Sequence, residues 1–254
     1  MIIESLQNEK IKWLTRVVSD NRFRKKSGVF VVEGQQENEM AKDSVYEVQE
    51  YFICKDFFDH QEPSGKINWV SPKVYEKIAY RGTTEGIIGI YKTVETEFST
   101  YQPADNATII VLEGIEKPGN LGAILRSCEA FGIDALVITD SKTDFFNPNV
   151  IRSSVGCLFK MKIFECSNAE CLETLNKSGF QILTTIMKDN FGLINKRNFK
   201  QRTAVIFGTE HSGLSDFWQE KGENTLIPMC GAIDSLNLSN AVAIACYESL
   251  RQKG

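Results

Sequence analysis

Residues 227–245 read IPMCGAIDSLNLSNAVAIA, and the reading of the whole chain turns on them. The stretch opens as a short apolar strand that stops at Pro228. A polar loop follows, carrying Asp234, Ser235, Asn237 and Ser239. Residues 241–246 are then apolar without a break, and a helix apolar all round is normally buried on every side. A polar loop between two buried elements is where a ligand pocket is built. The same letters also spell a plain strand, turn and capped helix, so the stretch has to be weighed with what lies upstream.

Working back, short and nearly all-apolar segments recur at 108–112, 135–139, 160–164, 181–186, 203–207 and 225–227. Helical segments fit between most of them. This alternation indicates an α/β domain whose parallel sheet is covered on both faces. Such sheets bind ligands beyond the carboxyl ends of their strands. Residues 94–106 (VETEFSTYQPADN) interrupt the pattern with a polar run containing Pro103. Before them, residues 8–20 make an amphipathic helix on Ile11, Leu14 and Val18. Strands follow at 29–32, 45–54, 67–70 and 86–91, with a helix over 72–79 opened by Pro72. The expected organisation is therefore a smaller N-terminal α/β sandwich over 1–95, a linker over 96–106, and a larger domain over 107–254.

The bulk properties narrow the function. A 254-residue chain with 42% hydrophobic and 24% charged residues is that of a folded protein. No apolar run has the length of a membrane span, and no signal-peptide pattern is visible. The seven cysteines form no Cys-x-x-Cys pair, which reads as reduced thiols in the cytoplasm. The two histidines have no metal-ligand spacing, which argues against a zinc site. A net charge of −4 disfavours a nucleic-acid binder that uses its whole surface. It leaves room for a local basic patch. Lys10, Lys12, Arg16, Arg22, Arg24, Lys25 and Lys26 stand against Asp20 alone, either as a solvated face or as an arm that contacts phosphates.

Two further stretches carry chemistry. In 111–132 (VLEGIEKPGNLGAILRSCEAFG) a strand runs into a turn, and a helix is expected to start near Asn120, a good N-cap. Leu121, Ile124, Leu125 and Cys128 make its apolar stripe, Arg126 faces the other way, and Gly132 suits the stop. The turn has neither Gly-x-Gly-x-x-Gly nor Gly-Lys-Ser/Thr, which disfavours an NAD- or NTP-dependent enzyme. In 205–217 (VIFGTEHSGLSDF) a buried strand meets Gly208 and Glu210. Glycine there would let the backbone approach a ligand closely.

PGNLGAILR (118–126), FGTEHSGL (207–214) and IPM with SLNLSNA (227–241) together resemble, in order and spacing, the three motifs of the SPOUT superfamily of RNA methyltransferases, in its ribose 2′-O (SpoU/TrmH-type) branch. RKKSGVFVVEG (24–34) is similar to the RNA-binding domain appended to such enzymes, which itself resembles a ribosomal protein. NPNVIRSSVG (147–156) is similar to the helix between the first and second motifs.

The resemblance implies a catalytic domain threaded into a deep trefoil knot and working as a homodimer, each active site drawing groups from both subunits. It implies S-adenosylmethionine as cofactor, held at Gly208, Ile227 and Leu236, with Thr185 and Met229 as further candidates. Methyl transfer to a ribose 2′-hydroxyl of RNA would follow, ribosomal RNA being favoured over transfer RNA. Arg126 is the implied catalytic residue. A guanidinium almost always stays protonated, so its reading is a phosphate anchor and a stabiliser of charge on the 2′-oxygen rather than a simple base. Asn120 and Glu210 would position it or the nucleotide, and Ser235 and Asn237 would orient ribose or cofactor. Arg22, Arg24, Lys25 and Lys26 are the candidate RNA contacts. Two departures bear on RNA preference: Glu116-Lys117, where many relatives carry Asp or Asn, and the bulky run Ser154-Val155-Gly156-Cys157. A non-catalytic RNA-binding relative of the same fold is the alternative, and an unrelated small-molecule α/β enzyme is more distant.

Overall fold

The computed structural model describes residues 2–80, 85–186, 191–232 and 235–254. Asp234 of the 227–245 loop lies outside them. Two compact units are formed: residues 1–95 with 144–160, and residues 96–143 with 161–254. The first segment of the smaller unit ends at Glu95. Residues 144–160, which the sequence reading assigns to the larger domain, cluster with the smaller unit.

In the first unit, β1 (Ile2–Ile3) leads to α1 (Glu9–Ser19), capped by Asn8. A second helix, α2 (Asn21–Ser27), begins one residue after α1 ends, because Asp20 closes the first and its side chain accepts the Phe23 N–H of the next. Gly28, at φ 61°, then turns the chain into β2 (Val29–Glu33). The remaining elements are α3 (Gln35–Lys42), β3 (Val48–Ile53), β4 (Ile67–Val70), α4 (Pro72–Ile78) and β5 (Ile87–Lys92). The sheet order is β1-β4-β3-β5-β2, with β5 antiparallel to both neighbours. The strand expected from residue 45 starts at Val48, since Val45 is exposed.

The second unit is a sheet of order β10-β12-β9-β11-β6-β7-β8, all its pairings parallel. One of its inner strands is β6 (Thr108–Glu113), buried along its whole length. It leads into α5 (Pro118–Ala130) and β7 (Ala135–Thr139). The next helix, α6 (Pro148–Ser153), belongs to the first unit, where Phe146 beside it stacks on Phe30 at 4.2 Å between ring centroids. The chain returns through β8 (Ile163–Cys166), α7 (Asn168–Lys177), β9 (Gln181–Thr184), β10 (Gly192–Leu193), β11 (Thr203–Phe207), β12 (Glu223–Leu226) and α8 (Leu238–Lys253). Lys160, expected to open a strand, instead ends a 3₁₀ turn over Cys157–Lys160, and the strand begins at Ile163.

Two helix readings are corrected. Helix α5 starts at Pro118, whose ring presets the first helical φ, so Lys117 and not Asn120 is the N-cap. Its other end is as expected: Gly132 adopts φ 66° and the Ile133 N–H closes on the Cys128 carbonyl at 2.8 Å. Helix α8 is not buried all round. Val242, Ala245 and Cys246 face the sheet and α5, while Ile244, Tyr247 and Leu250 are exposed.

Candidate active site

Past the carboxyl ends of β9, β11 and β12 lies a cavity of about 550 Å³, closed on one side by the start of α8. All five residues implicated in holding a cofactor line it: Thr185, Gly208, Ile227, Met229 and Leu236. Glu210 and Ser235 join them. The walls also use Phe207, Leu214 and His211, which the sequence reading did not single out. Phe207 ends a buried strand, and that position was the signal available for it.

The loop after β11 is tied down at both ends. A methyl group on Gly208 would collide with the backbone of Gly213 and Leu214, because Thr209 and Gly213 pair across the turn. The loop's own backbone therefore requires glycine here, a reason the sequence did not disclose. Beyond the turn, Ser215 donates from N and Oγ to the buried Glu113 carboxylate at 2.8 and 2.6 Å. Asn168 Nδ2 bonds the same carboxylate at 2.6 Å and Trp218 Nε1 donates to Asn168 Oδ1 at 3.2 Å. A buried carboxylate with its donors supplied holds the cavity loop on the end of β6. Thr185 spends its hydroxyl on the Ile206 carbonyl at 2.9 Å.

A directed polar chain joins the three sequence motifs. Lys117 pairs with Glu210, and Glu210 accepts from Asn120 Nδ2. Asn237 Nδ2 reaches Asn120 Oδ1 at 3.5 Å, and Asn237 Oδ1 accepts the Ser239 N–H at 2.9 Å as the cap of α8. The carboxylate can only accept, so it fixes which way the Asn120 amide points, and that in turn orients Asn237. Lys117 is the member missed from sequence. A lysine at an N-cap neither caps the helix nor suits its positive end. Arg126 is not part of this chain of contacts. It sits exposed on α5, without a hydrogen-bond or ion-pair partner among the described residues.

The basic stretch divides in the same unsentimental way. Arg24 is a correction: it is 2% exposed, pairs with the buried Asp144 at 2.7 Å and donates to the Val17 and Val18 carbonyls. The last carbonyls of α1 and the buried Asp144 carboxylate take up those donors, so Arg24 cannot contact RNA. Lys10 pairs with Glu50 and Lys12 with Glu9. Arg22, Lys25 and Lys26 are exposed.

Among solved structures, one titled an RNA 2′-O ribose methyltransferase superposes with a TM-score of 0.84 at 31% identity, covering 100% of this chain and 99% of that one. An S-adenosylmethionine-bound rRNA methyltransferase from Sinorhizobium meliloti has the same fold, with a TM-score of 0.89 at 22% identity over 99% and 97%. Fold and site define a knotted α/β methyltransferase that uses S-adenosylmethionine and acts on RNA 2′-hydroxyls. The SpoU rRNA methylase family profile matches residues 107–247, and an MRM3-like substrate binding domain matches residues 8–89. The chain belongs to the SpoU rRNA methylase family. A curated relative, the Bacillus subtilis 23S rRNA (guanosine(2553)-2′-O)-methyltransferase RlmP, is 26% identical over 249 residues, 96% of this chain and 97% of that protein. The 23S rRNA (guanosine-2′-O-)-methyltransferase RlmB of Xanthomonas axonopodis is 32% identical over 59% of this chain and 61% of its own.

Proposed function

We propose that the chain methylates a ribose of ribosomal RNA as a cytoplasmic homodimer, with residues 1–95 engaging the RNA and residues 107–254 carrying the reaction. The observation that carries the reading is the convergence of Thr185, Gly208, Ile227, Met229 and Leu236 on one cavity. Its volume suits a cofactor of nucleoside size. Apolar Ile227 and Leu236 provide walls for a flat adenine, and backbone groups around Gly208 provide polar contacts. S-adenosylmethionine, when bound there, supplies an electrophilic methyl carbon.

The protein's own work is to present the hydroxyl and to favour the charge that grows on it. The Lys117–Glu210–Asn120–Asn237 chain holds its polar groups in one orientation at the rim. Preset dipoles of this kind lower a barrier because they need not reorganise during reaction. Arg126, exposed and without a partner among the described residues of its own chain, is assigned to the site of the partner subunit. There it would anchor a phosphate by paired hydrogen bonds and stabilise the 2′-oxyanion. The exposed Ile244, Tyr247 and Leu250 of α8 support a twofold contact through that helix.

The test is transfer from labelled S-adenosylmethionine to unmodified ribosomal RNA transcripts, with Arg126→Ala alongside. The reading expects labelled 2′-O-methylnucleoside and a loss of about a hundredfold or more in the variant. Near-normal turnover of Arg126→Ala at saturating RNA would remove the arginine from the mechanism. A non-catalytic relative would bind RNA and show no heat on titration with the cofactor.

A further inference from the structure

We infer that a concavity between α1 and α2 is a seat for one unpaired nucleotide of the RNA, distinct from the methyl-transfer cavity; the RNA as ligand rests on the functional reading above. The concavity, of about 560 Å³, is lined by Arg16, Asp20, Arg22, Phe23, Lys26 and Ser27. The Arg16 guanidinium carbon lies 4.1 Å from the Phe23 ring centroid, so the guanidinium is stacked on the ring. Its side chain is nevertheless 61% exposed. A plate backed by an aromatic ring and open on its far side is what a nucleobase stacks on.

The charges around the plate point the same way. Arg22 and Lys26 are four residues apart on one short helix, a like-charge spacing that weakens a helix. Lys26 is explained by the helix dipole, since it sits in the last turn. Arg22 is not, because it sits in the first. Asp20, the only acid among the described residues lining the concavity, is already committed. Its Oδ1 accepts the Phe23 N–H at 3.0 Å and its Oδ2 faces Arg16 Nε at 3.5 Å. Arg16, Arg22 and Lys26 line the concavity with that one committed carboxylate, and three cations around it favour a phosphate. Ser27 donates its hydroxyl to the Phe23 carbonyl at 2.7 Å and belongs to the frame. The buried Arg24–Asp144 pair fixes the opposite side of α2 and so holds this face outward.

A base wedged against Arg16 must be unstacked from its neighbours, so the seat discriminates single strands from duplex. The experiment uses the full chain and three fluorescent probes: a ten-nucleotide oligouridylate, a ten-base-pair RNA duplex, and an oligomer of the same charge whose central residues are abasic. The single strand is expected to bind at least fivefold tighter than either other probe. Arg16→Gln, and Arg22→Gln with Lys26→Gln, are expected to weaken it about tenfold. The double variant should also flatten the salt dependence by about 0.7 in logarithmic slope for each lost contact. Melting temperature and S-adenosylmethionine affinity should stay at the parent values, which separates a lost contact from a lost fold. Equal binding of the abasic oligomer or the duplex overturns the seat, as does unchanged affinity in both variants. A chain that binds the single strand in this way yet takes up no S-adenosylmethionine upholds the seat and removes the methyltransferase reading. The reverse result removes the seat alone.

Discussion

Single residues decide how the cavity is held. Gly208 admits no side chain because the Gly213–Leu214 backbone crosses it. Gly208→Ala should therefore open the loop and weaken S-adenosylmethionine binding at least tenfold by calorimetry. Lys117 acts at a distance, through Glu210, on the amides of Asn120 and Asn237. Lys117→Met keeps the aliphatic stem and removes the charge. On the proposed mechanism it lowers turnover about tenfold, since small misplacements of polar groups are costly, while cofactor affinity stays within twofold of the parent. Steady-state kinetics with calorimetry would separate the two effects. Arg24 makes the opposite point. It belongs to a conspicuously basic run, yet it is a buried structural cation. Removing one member of a buried pair leaves the other uncompensated, so Arg24→Ala should cost about 3 kcal/mol of stability in denaturant unfolding. Composition cannot distinguish Arg24 from Arg22; only the partner 120 positions away does so.

At the scale of elements, helix α8 presents two apolar faces, one on its own sheet and one exposed. Tyr247→Asp should convert a dimer of twice 28.6 kDa into a monomer of that mass in light scattering, leaving the melting temperature of the fold little changed. An unaltered mass would place the interface elsewhere. The elements themselves were largely legible. The strands Ala135–Thr139 and Thr203–Phe207 run between the residues where their apolar letters begin and end, because strands buried on both faces leave no polar position to blur them. The start of α5 was less legible. Asn120 is a better N-cap by type than Lys117, but Pro118 fixes the first turn and frees Asn120 to bond Glu210. Helix α2 was hidden within the basic run. Its sequence NRFRKKS has almost no apolar period, and its register comes from the Asp20 cap and the buried Arg24.

For the whole molecule, the site was more legible than its supports. The second and third motifs bring Gly208, Glu210, Ile227, Met229 and Leu236 to one cavity, and the first reaches it through Asn120 bonded to Glu210. The Glu113–Asn168–Trp218 bonds beneath the loop depend on long-range approach, which no local pattern encodes. The smaller unit carries its own acid-sensitive lock. Burial alone would raise the Glu50 pKa, but hydrogen bonds from Lys66, Asn68 and Lys10 outweigh it and hold the carboxyl at about 2 against an ordinary 4.5. A lowered folded-state value means the stabilisation is complete above the ordinary pKa and disappears as pH falls from there toward 2. Acid unfolding followed by Trp fluorescence should show that limb, and Glu50→Gln should flatten it. The most direct test of the account is nucleoside analysis of ribosomal RNA transcripts after incubation with labelled S-adenosylmethionine and the purified chain. The account predicts label confined to a 2′-O-methylribose, and at least tenfold less of it with Gly208→Ala at limiting cofactor. Label on a base, or transfer undiminished when the cavity loop is disrupted, would contradict it.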